Sequence, residues 1–111
     1  ESAEAKQLKS KMAAGLYRIN GLNISQLAAE LGIPVYQLRQ LINVELGFDN
    51  FSHFVNSYRI PAVCARLADP KYNDKPVLTL ALDAGFNSIA PFNRAFKQSL
   101  GMTPSQYRAQ F

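Results

Sequence analysis

The sequence predicts an all-α fold of about seven helices, arranged as two helix-turn-helix subdomains joined by a connecting helix. Three observations carry that expectation. Apolar residues recur at three- and four-residue spacing through nearly the whole chain, and the stripes are punctuated by glycine and proline. The stretch Ala81-Leu82-Asp83-Ala84-Gly85-Phe86-Asn87-Ser88-Ile89-Ala90-Pro91-Phe92-Asn93-Arg94-Ala95-Phe96-Lys97 reads as a helix, a tight turn and a second helix with basic and amide groups outside. The two halves of the chain also match each other. Leu27, Ala28 and Gly32 map onto Leu80, Ala81 and Gly85 at an offset of 53, and Leu38, Ile42, Leu46 and Gly47 map onto Phe92, Phe96, Leu100 and Gly101 at 54. Two copies of one motif, the second with a turn one residue longer, explain seven ordered matches economically.

Taken in order, the first helix carries Ala5, Leu8, Met12 and Leu16 on one stripe with Lys6, Lys9 and Lys11 outside, and Asn20-Gly21 is expected to stop it. Asn23 caps the second helix, with Gln26 three residues on as reciprocal partner and Ile24, Leu27, Ala28 and Leu31 inside. Gly32-Ile33-Pro34 makes the turn, because glycine accepts positive φ and proline suits the first turn of the next helix. Leu38, Leu41 and Ile42 of the third helix face inward, which leaves Tyr36, Gln37, Arg39, Gln40 and Asn43 outside.

Gly47 ends that helix, and a connecting helix of about 27 Å follows from Phe51 to Ala68. Its apolar residues form two out-of-phase sets, Phe51, Phe54, Val55, Tyr58 and Ile60, Val63, Cys64, Leu67, so one helix serves two cores. Pro61 lies at the phase change, where a kink or break near Tyr58 to Pro61 is expected. After the polar stretch Asp69 to Lys75, Pro76 opens the fifth helix, whose stripe is Val77, Leu80, Ala81 and Ala84. Ser88 caps the sixth, with Ile89, Phe92, Phe96 and Leu100 inward and Ala90, Asn93, Arg94 and Lys97 outward. Gly101 stops it. Thr103-Pro104-Ser105-Gln106 then supplies a cap, a first-position proline and a capping-box partner for a short last helix through Arg108. The expected segments are 1–20, an N-terminal helix; 21–50, the first helix-turn-helix; 51–75, connecting helix and linker; and 76–111, the second helix-turn-helix and last helix.

Length and charge bound the function. A chain of 111 residues, 48% hydrophobic, buries one core or two small ones that share an element. Twelve Lys/Arg against eight Asp/Glu give a net charge of +4, which favours a polyanionic partner. The single Cys64 excludes an internal disulfide and a cysteine-paired zinc site and suits a reducing compartment. No apolar run approaches ~18 residues, so neither a transmembrane helix nor a signal peptide is expected. The start at Glu1 suggests a piece of a longer protein. One His, one Cys and scattered carboxylates without a glycine-rich phosphate loop argue against an enzyme, a cofactor or a metal site. His53 beside Phe54 reads as a surface or packing residue, and Cys64 in an apolar stripe as a small core residue.

A recognition helix spans only a few base pairs, and two of them on one side of DNA sit about one turn, ~34 Å, apart. A connector of nearly that length would let one chain read an asymmetric site in two successive major grooves.

At Gly85-Phe86, Phe92-x-Arg94-x-Phe96-Lys97 and Gly101-x-Thr103-Pro104-Ser105-x-Tyr107-Arg108 the sequence resembles the DNA-binding domain of the AraC/XylS family of bacterial transcription regulators. The resemblance covers about Ile24 to Arg108, and Leu27-Ala28, Leu38 and Gly47 followed by Phe51 and Arg59 fit the family's first motif. The departures lie in the first half, at Pro34, Gln40, Ile42 and Pro61. The resemblance implies seven homeodomain-like helices, sequence-specific binding of double-stranded DNA and activation or repression of transcription, often through RNA polymerase. It also implies a sensory domain elsewhere in the full-length chain and a cytoplasmic location at the nucleoid. The segments Gly15-Leu16-Tyr17-Arg18 and Tyr58-Arg59-Ile60 look most like members whose sensory part is membrane-embedded, with no membrane contact by this fragment itself.

Carried across residue by residue, the resemblance implies base reading by Tyr36, Arg39 and Gln40 from the first recognition helix and by Ala90, Asn93 and Arg94 from the second. Arginine pairs with guanine, Gln or Asn with adenine, and Ile89 or Ala90 meets a thymine methyl. Candidate phosphate contacts are the backbone at Ile24 and Val77, where the second and fifth helices begin, with Asn43, Arg59, Lys75, Ser88 and Lys97. Arg59 has an alternative use in an ion pair or in packing its stem. The competing functions are a protein-docking helical module and a low-specificity DNA binder on the same scaffold. A docking surface would show apolar residues where Arg39 and Arg94 stand.

Overall fold

The computed structural model describes residues 1–111 and contains seven α-helices and no strands. They are α1 (Ala3–Ala13), α2 (Ile24–Leu31), α3 (Val35–Gln40), α4 (Phe51–Leu67), α5 (Val77–Asp83), α6 (Ile89–Leu100) and α7 (Pro104–Arg108). Short 3₁₀ turns cover Leu16–Arg18 and Pro70–Tyr72, and a π-helical turn, Leu41–Glu45, prolongs α3. The chain divides into two compact units, residues 1–17 with 22–58, and residues 18–21 with 59–111.

In the first unit Ser2 caps α1, its hydroxyl accepting a hydrogen bond from the Ala5 N–H at 3.1 Å. Ala5, Leu8 and Met12 are completely buried. The helix ends at Ala13 rather than at Asn20-Gly21, because the chain turns at Gly15 with φ 112°, a conformation only glycine adopts without strain. Leu16 therefore sits in the following 3₁₀ turn, beside the buried Tyr17. The capping box of α2 is present in full: Asn23 Oδ1 accepts from the Gln26 N–H at 2.8 Å, and Gln26 Oε1 accepts from the Asn23 N–H at 2.9 Å. Leu27, Ala28, Leu31, Leu38, Leu41, Ile42, Phe54 and Val55 close this core. Phe48 and Tyr58 meet Phe54 edge-on at 5.3 and 5.6 Å between ring centres.

The second unit is built on Ile60, Val63, Leu67, Leu80, Ala81, Ala84, Phe86, Phe92 and Phe96. An aromatic series runs through it, Phe86 to Phe92 at 5.1 Å, Phe92 to Phe96 at 5.6 Å and Phe96 to Tyr107 at 5.7 Å. The last helix begins as its sequence predicts, with Thr103 Oγ1 and Gln106 Oε1 each accepting the other residue's N–H. Pro76 lies one position outside α5, as its N-cap.

The two apolar sets of α4 part between Tyr58 and Arg59, the first packing in one unit and the second in the other. Of the kink or break expected near Tyr58 to Pro61, the break does not occur: α4 runs uninterrupted from Phe51 to Leu67 with Pro61 inside it. Proline removes its own N–H bond and crowds the Ser57 carbonyl, but its exposed ring displaces no core residue, and buried side chains on both sides hold the helix in register. Pro61→Ala is expected to restore that bond and stabilise the chain by about 1–3 kcal/mol. Thermal unfolding checks this, and an unchanged or lower midpoint would mean that the surrounding packing requires the proline.

Candidate nucleic-acid interface

In the first unit the turn between α2 and α3 is formed by Gly32 in the left-handed region at φ 68°, followed by Pro34 as the N-cap of α3. Leu38, Leu41 and Ile42 then fix one side of α3 in the core. Tyr36, Arg39, Gln40 and Asn43 are consequently exposed, with Tyr36 at 75%, and Gln37 is half-buried. The π-helical turn adds what the residue pattern did not show. The Leu46 N–H donates to the Leu41 carbonyl five residues back at 2.9 Å, which shifts the following side chains around the helix relative to α-helical spacing. Val44, 69% exposed, adds an apolar side chain to the exposed side that the residue pattern did not single out. Gln37, Gln40 and Val44 border a shallow groove of about 280 Å³.

The second unit repeats the plan with a different turn. Ala84 caps α5, Gly85 turns at φ 112°, and Phe86 enters the core before Ser88 begins α6. The Phe92 and Phe96 rings are completely buried, so Ala90, Asn93, Arg94 and Lys97 point to solvent. Ser88 occupies the N-cap position, but its side chain makes no capping hydrogen bond. Ile89 is exposed at 38% rather than inward, since it precedes the buried Phe92 by three residues at the open first turn. With Asn93, Lys97, Val77, Thr103 and Ser105 it borders a groove of about 370 Å³.

The phosphate candidates separate by placement. Ile24 and Val77 are the first residues of α2 and α5 and are half-buried, whereas Asn43, Lys75, Ser88 and Lys97 are exposed. Arg59 is held within its own unit. Its Nη2 donates to the Ile19 carbonyl at 3.0 Å, and its guanidinium lies 5.5 Å from the centre of the Phe86 ring. Burial pushes its pKa down from the usual guanidinium value. Arg108 is likewise internal: its Nη2 donates to the carbonyls of Lys75 at 2.8 Å and Tyr72 at 3.3 Å, tying down the loop that leads into α5.

His53 is an exposed residue with one ring contact, and Cys64 is a partly buried packing residue. His53 meets Phe48 edge-on at 5.3 Å and lies 3.7 Å from Asp49, and burial pushes the Cys64 thiol up in pKa, which disfavours the thiolate.

Residues 27–110 match a family model described as a helix-turn-helix domain. The chain belongs to the AraC-type helix-turn-helix family. It is a helix-turn-helix domain of the kind carried by proteins described as HTH-type transcriptional regulators. An uncharacterized HTH-type transcriptional regulator of Staphylococcus aureus is 38% identical over 87 residues, which is 78% of this chain and 11% of that protein. The melibiose operon regulatory protein of Escherichia coli is 42% identical over 55 residues, 50% of this chain and 17% of the other. The chain thus spans about a tenth of the length of the S. aureus relatives it matches. A protein of unknown function from Listeria innocua superposes with a TM-score of 0.84 at 26% identity, covering 98% of both chains. The C-terminal domain of AraT, a response regulator from Geobacillus stearothermophilus, has the same fold, with a TM-score of 0.85 at 23% identity, 99% of this chain and 87% of the other.

Arg108→Ala is expected to cost about 1.5–3 kcal/mol, the range for hydrogen bonds from a charged donor. Denaturant unfolding, read with amide exchange at Tyr72–Lys75, tests this. A loss below about 0.5 kcal/mol would show that the two carbonyls do not depend on the arginine.

Proposed function

We propose that this domain reads double-stranded DNA sequence-specifically with α3 and α6, each in a major groove and the two in successive grooves. The observation that supports this best is the division of α6. Its Phe92 and Phe96 are completely buried, while Asn93 and Arg94 are presented together on the exposed side after a tight turn. A helix held that way can enter a groove without disturbing the core.

Arg39 and Arg94 offer two parallel N–H donors, which match the O6 and N7 acceptors of guanine. Gln40 and Asn93 match the donor and acceptor edge of adenine, Ala90 is small enough to meet a thymine methyl, and Tyr36 supplies a hydroxyl and a ring face. Backbone N–H groups at Ile24 and Val77, with Asn43, Lys75, Ser88 and Lys97, grip phosphates and set the register of each helix. The wider reading places the domain at the nucleoid in a longer regulator, with a sensory region elsewhere in that protein and contact to RNA polymerase. Its relatives are described as HTH-type transcriptional regulators and an operon regulatory protein, which supports that reading.

Selection of bound sequences from randomised duplexes at about physiological salt tests the proposal, because sequence-independent binding is weakened there. The expected result is an asymmetric motif with two blocks about one helical turn apart, ~34 Å. A single block would remove base reading from one unit, and no enrichment would favour docking or non-specific binding. Arg94→Ala should cost ~1–3 kcal/mol and relax preference at one position, whereas Lys75→Ala should weaken all sequences alike and reduce the salt slope by ~1. Equal losses on specific and random DNA for Arg94→Ala would overturn its role.

A further inference from the structure

The turn between α5 and α6 is held by a segment remote in sequence. Residues 18–21, the stretch between α1 and α2, pack with the second unit. Asn20 Nδ2 donates to two carbonyls, Leu82 in the last turn of α5 and Phe86 just before α6, each at 3.0 Å. One amide therefore bridges both sides of the Gly85 turn. Arg59 fastens the same segment by its bond to the Ile19 carbonyl and covers the Phe86 ring. Gly21, at φ 72°, lies so close to Asn87 that a Cβ there would stand 3.2 Å from the Asn87 Nδ2.

The local sequence explains why such a strap is needed. In the first unit, Pro34 limits the backbone where α3 begins. In the second, the turn is one residue longer, contains no proline between Gly85 and Ser88, and receives no side-chain cap from Ser88. Gly85, at φ 112°, contributes no side chain to hold the backbone of the turn itself.

We infer that Asn20 and Arg59 are positioning residues for DNA reading, which hold the Leu82–Asn87 turn so that α6 presents Asn93 and Arg94 in one orientation. Neither touches a base. This rests on α6 being a reading helix, and the experiment is arranged to separate the two questions.

Asn20→Ala removes both hydrogen bonds, and Asn20→Asp places a carboxylate against two carbonyl oxygens. Amide exchange at Gly85–Ser88, measured on the domain without DNA, should rise about five- to tenfold in each variant, the factor for losing a net hydrogen bond. In sequence selection, preference should relax in the block read by α6 while the block read by α3 is unchanged. A merely stabilising role would instead weaken both blocks together, in step with the melting midpoint, and that result would overturn the inference. Unchanged exchange in both variants would do the same. If the unaltered domain enriches no motif, the DNA-reading proposal fails, and the exchange measurement still decides whether the strap holds the turn. Arg59→Lys keeps the charge and loses the planar fork, so it should relax the α6 block with the salt slope unaltered. Arg59→Ala removes the charge as well and should also leave the salt slope unaltered; a slope reduced by ~1 in that variant would mean that Arg59 grips phosphate and would remove it from the strap.

Discussion

Helix α4 must satisfy two hydrophobic cores with one set of 3.6-residue turns, and much of the architecture follows from that constraint. A single amphipathic stripe can serve one core. Here Phe54 and Val55 pack with the first unit and Ile60, Val63 and Leu67 with the second, so the stripe changes phase between Tyr58 and Arg59. The phase change explains why Pro61 is tolerated. It stands on the exposed side of a segment anchored at both ends, where losing one backbone bond is outweighed by the buried side chains around it. Each fully buried Val, Ile, Leu or Phe contributes on the order of 1.5–3 kcal/mol.

The same asymmetry of burial makes α3 and α6 suited to reading. Phe92 and Phe96, or Leu38 and Ile42, supply enough apolar burial to fix a helix without help from its outer face. The outer residues are then free to be chosen for hydrogen-bonding geometry. Arg59 and Arg108 mark the contrast. Both carry the charge a nucleic-acid partner would attract, yet each points its guanidinium at main-chain carbonyls of its own unit. Charge counted along the sequence therefore overstates what is available to a polyanion.

Legibility divided along the range of the interactions. The capping boxes at Asn23 and Thr103 and the glycine turns at Gly32 and Gly101 involve residues within four positions of each other, and the residue pattern alone was enough to place them. So was the inward face of each reading helix, apart from Ile89. What escaped depended on partners far along the chain or on backbone choices without a local signal. Ser2 holds Glu45 through its N–H and hydroxyl, both at 2.9 Å, and Asn20 reaches Leu82 and Phe86. The early end of α1 followed from Gly15, which competed with the equally plausible stop at Asn20-Gly21. The π-helical turn after α3 had no signature in the sequence, and Val44, exposed within it, was not singled out.

The two copies of the motif have solved one mechanical problem in different ways. A reading helix is useful only if its first turn is held, because a small rotation there is magnified at side chains one and two turns on. In the first copy local chemistry does this, through Gly32 at φ 68° and the fixed φ of Pro34. In the second, the longer turn has no proline at the N-cap position, and Asn20 with Arg59 supplies the restraint from outside. A duplicated motif is thus free to diverge in its turn provided that some other part of the chain takes over the restraint. Asn20-Gly21, which looks in isolation like a simple helix stop, owes its identity to that requirement: the amide spans two carbonyls, and the glycine lets the backbone lie close against Asn87.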